Sequence, residues 1–371
     1  MHKNVYVNKM AIATGLGNGL EDNWQQLMDG RTAIAPISHF NTDRLDYHQA
    51  SCLAELWEQK NGNHTSILAQ MTLNAIKPVP AETVIIWTGI KGNAEFIESG
   101  QTMPPPYLPR HYRSWVARQL GIPDRGLEIN AACASSTVGL ALGAQKIAQG
   151  TCSCVLICAT DLVTRFVHTG FSALKALTAK TCRPFDRDRD GLSLGDGAVA
   201  ILLTDEATAR QNQLEPLAVL SGWGIANDAN HITGPARDGS GLILAIENAL
   251  TMASMKTSEV EAFCAHGTGT VYNDGMELTA VERVFGGRRF PIFSIKGAIG
   301  HTLGAAGGIE TAISVLAMRK KQIPPNTGLQ QTEERAIGRV SDQVQAFDGN
   351  NILTSNSGFG GVNAALLLEK V

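Results

Sequence analysis

Apolar and polar positions along the chain alternate between two periods. Residues 5–14 (VYVNKMAIAT) read as a strand that ends in the turn-like GLGNG, and residues 20–27 read as a short helix. Residues 31–62 are polar with poor periodicity and predict loops. A helix is expected over 66–76. Residues 83–88 (TVIIWT) are apolar throughout, as in a strand buried on both faces. Prolines at 104, 105, 106 and 109 predict an extended loop over 100–109, near a pocket mouth or a subunit contact. A helix over 110–120 follows. A short alternating run at Leu127 and Ile129 then meets a cluster of small residues, and a helical pattern leads on to about Gln149. A buried strand is expected over 154–159, and a charged loop from 182 runs into a strand that ends near Leu203.

The second half repeats the plan. Strands are expected at 216–223, 260–265, 291–295, 352–355 and 362–368, and helices at 239–253, 275–284 and 302–320. Strand–helix alternation in two similar halves, without clear identity between them, predicts an α/β fold with internal duplication. The halves divide at 1–205 and 206–371.

Composition narrows the class. With 371 residues, 44% hydrophobic and 18% charged, the chain has the make-up of a soluble protein with a large core. A net charge of −3 gives no hint of nucleic-acid binding. The N-terminus lacks the regions of a signal peptide, and no apolar run reaches transmembrane length. Seven cysteines, an odd number scattered through a long chain, argue against a secreted disulfide framework and for a reduced, cytoplasmic setting. The sequon at Asn63-His64-Thr65 is then a chance match.

The chemistry centres on Cys133, in INAACASSTVGL, where a strand turns into a helix. A helix N-terminus there lowers a thiol pKa and aims free N–H groups at whatever the sulfur attacks. The competing reading is an ordinary buried cysteine packed among alanines. Cys152, Cys154 and Cys158 share one strand face, but no His or fourth Cys stands at zinc spacing, so core packing is favoured over a metal site. The charge run in CRPFDRDRDGLSLGDGA is either a solvated face or a loop held by ion pairs, and composition favours the former. His266 in AHGTGT and His301 in KGAIGHTLGAAGG each follow a strand in a Gly-rich turn. Lys296 and Glu310 flank His301 at spacings that could orient its ring and tune its charge. Thr268 and Thr270 present hydroxyls to the amides of a linear ligand. The Gly358-Phe359-Gly360-Gly361 loop could gate a pocket and offer an N–H to an oxyanion. A cysteine nucleophile, two histidines and an oxyanion hole suit acyl transfer. A metal-hydrolase reading would use both histidines, but it lacks an HExxH-type pair and leaves Cys133 without a role.

On these motifs the sequence resembles the β-ketoacyl-acyl carrier protein synthases of the thiolase superfamily, in their Cys-His-His branch. The resemblance rests on AACASS, RPFDRDRDGLSLGDGA, AHGTGT, SIKGAIGHTLGAAGGIE and SNSGFGGVNA, in the family's order and across nearly the whole chain. It implies a five-layered αβαβα thiolase fold, usually dimeric, and a decarboxylative Claisen condensation in fatty acid, polyketide or polyene synthesis. Cys133 would take the acyl chain, and His266 and His301 would assist malonyl decarboxylation. Lys296 and Glu310 would support the histidines. The N–H groups of Cys133 and Phe359 would form the oxyanion hole, Thr268 and Thr270 would hold phosphopantetheine, and Phe359 would gate the acyl pocket. Acyl carrier protein would deliver the phosphopantetheine, so no bound cofactor or metal is expected. The partner subunit would be a second copy or another ketosynthase-like chain. Two departures bear on acyl length: Ser357 stands where the family often has an aromatic residue, and the region from about Asp46 to Pro109 is short. Both point to a specialised enzyme, and the short region also leaves open a chain-length-factor-like subunit with little activity of its own; a third reading is a decarboxylase or acyltransferase that uses the same residues without condensing.

Overall fold

The computed structural model describes residues 3–59, 63–95, 108 and 111–371. The proline-rich stretch expected as an extended loop lies, Leu108 apart, outside the described residues. Ten strands form one hydrogen-bonded path. They are β1 (Tyr6–Thr14), β2 (Val84–Trp87), β3 (Gly126–Glu128), β4 (Cys154–Asp161), β5 (Gly197–Thr204), β6 (Ala218–Asn227), β7 (Phe263–Cys264), β8 (Ile292–Phe293), β9 (Asn351–Gly358) and β10 (Val362–Glu369). Their spatial order is β8-β7-β9-β10-β6-β1-β5-β4-β2-β3.

The two halves of this path carry the same topology. In the first, β1 pairs antiparallel with β5, β5 antiparallel with β4, β4 parallel with β2, and β2 parallel with β3. In the second, β6, β10, β9, β7 and β8 repeat that series of two antiparallel and two parallel pairings. The halves touch through a short antiparallel register, Tyr6 opposite Val219 and Val7 opposite Ala218.

The helices of nine or more residues complete five layers. They are α1 (Leu20–Met28), α2 (His64–Ile76), α3 (Tyr112–Leu120), α4 (Ser135–Ala148), α5 (Arg165–Ala173), α6 (Ser240–Ala253), α7 (Val271–Phe285) and α8 (Ala306–Lys320). Helices α4 and α8 pack on each other and on strands of both halves, so they form the central layer. Helices α2 and α3 cover the outer face of the first half, and α6, backed by α7, covers the second. Alternation along β4 explains its continuous apolarity. Val155, Ile157 and Ala159 face the central helices, while Cys154, Leu156 and Cys158 pack with Leu73, Ile76 and Val116 beneath the outer ones. Cys154 and Cys158 are therefore core residues. Among the described residues no group of three or more His, Cys, Asp or Glu stands where it could hold a metal ion. No described helix is long and apolar enough to cross a membrane.

Several expected elements shift. The strands expected at 260–265 and 291–295 shrink to two residues each, and α7 starts four residues before the expected helix, capped by the Thr270 hydroxyl. Strand β9 runs on through Asn356, Ser357 and Gly358, where a loop was expected. Pairing with Val362, Asn363 and Ala364 holds those residues extended, overriding their local preference for a turn. Helix α5 is an addition that the polar–apolar pattern did not announce.

Candidate active site

Between β3 and α4 the chain makes a tight elbow, and Cys133 sits in it. Ala132 adopts φ 48°, a left-handed conformation that costs a residue with a Cβ roughly 1 kcal/mol or more. Ser135 secures the elbow: its hydroxyl donates to the Ala132 carbonyl (2.6 Å) and accepts from the Ala131 N–H (2.9 Å). Gly358 packs against the same turn. A Cβ there would lie 2.6 Å from the Ala131 carbonyl oxygen and 3.2 Å from the Cys133 nitrogen, so only glycine lets the two backbones meet.

Cys133 is 5% exposed. Burial pushes its thiol up to about 11, against the opposing pull of the Lys296 and Lys91 charges. The lowered thiol pKa expected at this position is therefore corrected: in the closed pocket desolvation outweighs the nearby positive charges. The Phe359 backbone N–H is directed at the Cys133 sulfur and also favours the thiolate.

His266 leaves β7 in a turn that the first turns of α7 hold in place. The Glu277 carboxylate accepts from the His266 and Gly267 N–H groups, each at 2.7 Å. Asp274 accepts from the N–H groups of Thr268 (3.0 Å) and Gly269 (3.2 Å), and its other oxygen from Phe185 (2.8 Å). Gly267 and Gly269 take positive φ values of 41° and 73° to close the turn.

The charged run of residues 183–190 docks on this turn, which corrects its reading as a solvated face. Asp186 is fully buried and accepts from the N–H groups of Gln330, Gln331 and Asp188. Arg189 pairs with Glu333 at 2.6 Å and lies 3.6 Å from Asp274. The Arg187–Asp188 pair and Asp190 face solvent.

The imidazoles of His266 and His301 meet edge to face, with centroids 5.1 Å apart and planes at 86°. Burial, then the Lys296 charge, holds both well below the ordinary histidine range, so both are neutral at pH 7. Their surroundings differ. The Lys296 ammonium contacts the Glu310 carboxylate, donates to the His266 carbonyl and lies 3.2 Å from His266 Nδ1. The Asn356 amide donates to His266 Nδ1 (2.9 Å) and to the other Glu310 oxygen (2.7 Å). Lys296 and Glu310 thus orient His266, where sequence spacing had paired them with His301. His301 is held through its backbone, its N–H donating to Ser193 and its carbonyl accepting from Gly195, and its ring Nδ1 has no hydrogen-bond partner among the described residues. Asp161, buried beneath, accepts from the N–H groups of Ile90, Lys91 and Gly304 and so fixes the turn after His301.

Cys133, His266, His301, Thr268, Thr270 and Phe359 line one cavity of about 1130 Å³. The hydroxyls of Thr268 and Thr270 are 2.9 Å apart along its wall. The Phe359 ring stacks on Phe171 of α5 (5.8 Å, 26°), and both rings line the cavity. Ser357 donates to Asn363 (2.6 Å) and also lines the cavity. Lys296 and Glu310 lie behind the wall, each 1% exposed. Sequence reasoning missed Asn356, Thr137, Asp274, Glu277 and Phe171. Asp274 and Glu277, three residues apart on the helix after the His266 turn, carried a readable signal. Asn356 and Thr137 carried none beyond their place in quoted motifs.

The chain matches the family model for the β-ketoacyl synthase N-terminal domain over residues 111–209 and that for the C-terminal domain over 217–330. It is 30% identical to the 3-oxoacyl-(acyl-carrier-protein) synthase 2 of Rhizobium meliloti (strain 1021), with 99% of each chain covered. It is 29% identical to the enzyme of the same name from Vibrio harveyi, covering 100% of this chain and 99% of that one. Among solved structures, the ishigamide ketosynthase/chain length factor superposes with a TM-score of 0.90 at 24% identity, with both chains fully covered.

Proposed function

The chain belongs to the β-ketoacyl synthase family, and we propose that it condenses an acyl thioester with a malonyl thioester on acyl carrier protein, releasing carbon dioxide. The observation that carries the reading is the convergence of the Cys133 thiol, two neutral imidazoles and the Phe359 N–H on one cavity.

In the first half-reaction the Cys133 sulfur attacks the acyl carbonyl. The developing oxyanion is held by the Cys133 and Phe359 N–H groups. The phosphopantetheine thiolate leaves with the proton that Cys133 gives up, and His301, a neutral imidazole lining the same cavity, is suited to pass it on. In the second, the malonyl arm lies along Thr268 and Thr270. Carbon dioxide departs, and the bonding pair moves into the thioester carbonyl to form an enolate. The His266 Nε2–H, set by donors at Nδ1, stabilises the enolate oxygen together with His301. The enolate carbon attacks the Cys133 acyl thioester, and the sulfur leaves as a thiolate that takes up one proton from solvent, the proton that the overall condensation consumes. Lys296 and Glu310 act through His266.

Phosphopantetheine arrives bound to the carrier protein, so the scheme requires no resident cofactor or metal. The same reading places the chain in the cytoplasm, in fatty acid, polyketide or polyene synthesis, as a homodimer or beside a ketosynthase-like partner. It divides the chain into halves at 1–205 and 206–371. The intact Cys133, His266 and His301 favour this reading over a chain-length-factor-like subunit. Intact-mass spectrometry after incubation with short- or medium-chain acyl carrier protein tests it. An acyl adduct on Cys133 is expected. A folded chain that stays unmodified, alone and with co-expressed ketosynthases, would overturn it.

A further inference from the structure

We propose that Thr137 is a positioning residue for His266, acting through the Asn356 amide. The inference deepens the condensing-enzyme reading and rests on it for its kinetic consequences. Nδ1 of His266 faces two N–H donors, Asn356 Nδ2 at 2.9 Å and Lys296 Nζ at 3.2 Å. A ring nitrogen that accepts keeps its lone pair, so the neutral imidazole carries its proton on Nε2. The Asn356 amide and the Lys296 ammonium favour that tautomer together, and the amide does so in only one of its two orientations.

The amide is satisfied in one orientation. Its nitrogen donates to His266 and to Glu310, and its oxygen accepts the Thr137 hydroxyl. Turned over, the amide would present its oxygen to His266 Nδ1, drawing the ring proton away from Nε2. Glu310 opposes the turned amide, and Thr137 anchors the working one. Thr137 and Asn356 are both 0% exposed, so bulk water has no access to replace a lost partner. Room for the contact is made by Gly307 of α8. A Cβ there would lie 1.9 Å from Thr137 Oγ1 and 2.4 Å from Asn356 Oδ1. Thr137 stands one helical turn beyond Cys133, so α4 links the nucleophile elbow to the tautomer of the imidazole across the cavity.

The test compares the full chain with its Thr137→Val and Thr137→Ser variants, each labelled with ¹⁵N-histidine. In the unsubstituted chain the His266 signals are expected to report a protonated Nε2 and an accepting Nδ1. Thr137→Val should mix the tautomers and lower malonyl-carrier-protein decarboxylation about tenfold, with acyl loading of Cys133 changed less than about twofold. Thr137→Ser, which keeps the hydroxyl, should restore both readouts. A proton on Nδ1 in the unsubstituted chain would overturn the proposal. So would a Val variant with native tautomer and native decarboxylation, or equal losses in loading and decarboxylation that Ser does not restore. If the Val variant does not fold, Thr137→Ala is read in the same way. If the unsubstituted chain decarboxylates nothing, the condensing reading fails, and the tautomer comparison alone still decides the role of Thr137.

Discussion

Lys296 and Glu310 form an ion pair directly behind His266, with each side chain 1% exposed. The pair contacts the imidazole: Lys296 faces Nδ1, and Glu310 holds the Asn356 amide that faces it too, while the Lys296 charge also acts on the Cys133 thiol and on His301. Removing one member leaves the other as an uncompensated buried charge. Lys296→Met or Glu310→Leu alone should therefore destabilise the fold by about 3–5 kcal/mol. The double variant should recover a large part of that loss, because no lone charge remains. Chemical denaturation of the four proteins checks this. Additive losses in the double variant would show that the two side chains do not act as a pair.

The thiol of Cys133, raised to about 11 by burial, is largely protonated in the resting pocket. At pH 8 the thiolate fraction is then about one part in a thousand. Inactivation by iodoacetamide should climb steadily with pH to at least pH 10, with acyl-enzyme formation abolished in Cys133→Ala. A plateau near neutral pH would mean that the helix N-terminus and the nearby lysines outweigh desolvation.

His301 is neutral in the folded chain and has a depressed pKa, whereas in the unfolded chain it titrates near 6.5. Below that pH the unfolded chain binds a proton that the folded one refuses. Stability is therefore present above about pH 6.5 and is lost as the pH falls toward the folded pKa, with a slope of up to about 1.4 kcal/mol per pH unit. His301→Asn removes one such term. Its unfolding free energy should fall less steeply than that of the unsubstituted chain between pH 6.5 and 5, as followed by urea titration. Parallel slopes would contradict the burial of a neutral His301.

Phe359 lines the cavity and stacks on Phe171, the arrangement on which its proposed role as a gate rests. Phe359→Ala should leave folding intact, judged by an unchanged circular dichroism spectrum, and shift the range of acyl groups loaded onto Cys133 toward longer ones. An unchanged acyl profile, measured by intact mass across a series of acyl carrier proteins, would remove the gate.

Much of this was legible in the sequence because the signals are local. Period-two and period-3.6 patterning marked the long strands and helices, since burial of one face or both leaves its trace residue by residue. Cys133, His266, His301, Thr268, Thr270 and Phe359 each stand in a small-residue turn beside an element end, where the backbone can approach a neighbour closely. What stayed hidden depends on distance in space. The mirrored strand order of the halves arises from pairings far apart in the chain. Asp186 and Arg189 read as solvent-facing charges until residues 330–331 supplied N–H donors to Asp186, and Asp274 and Glu333 supplied carboxylates to Arg189. Lys296 and Glu310 stand close to His301 in sequence, yet the fold turns both toward His266, 30 and 44 residues away. Sequence thus determined which chemical groups are available and that they lie at turns. Tertiary packing decided which imidazole each charge serves and which way the Thr137–Asn356 contact turns its amide. It also raised the thiol pKa, because desolvation and hydrogen-bond direction are properties of the assembled core.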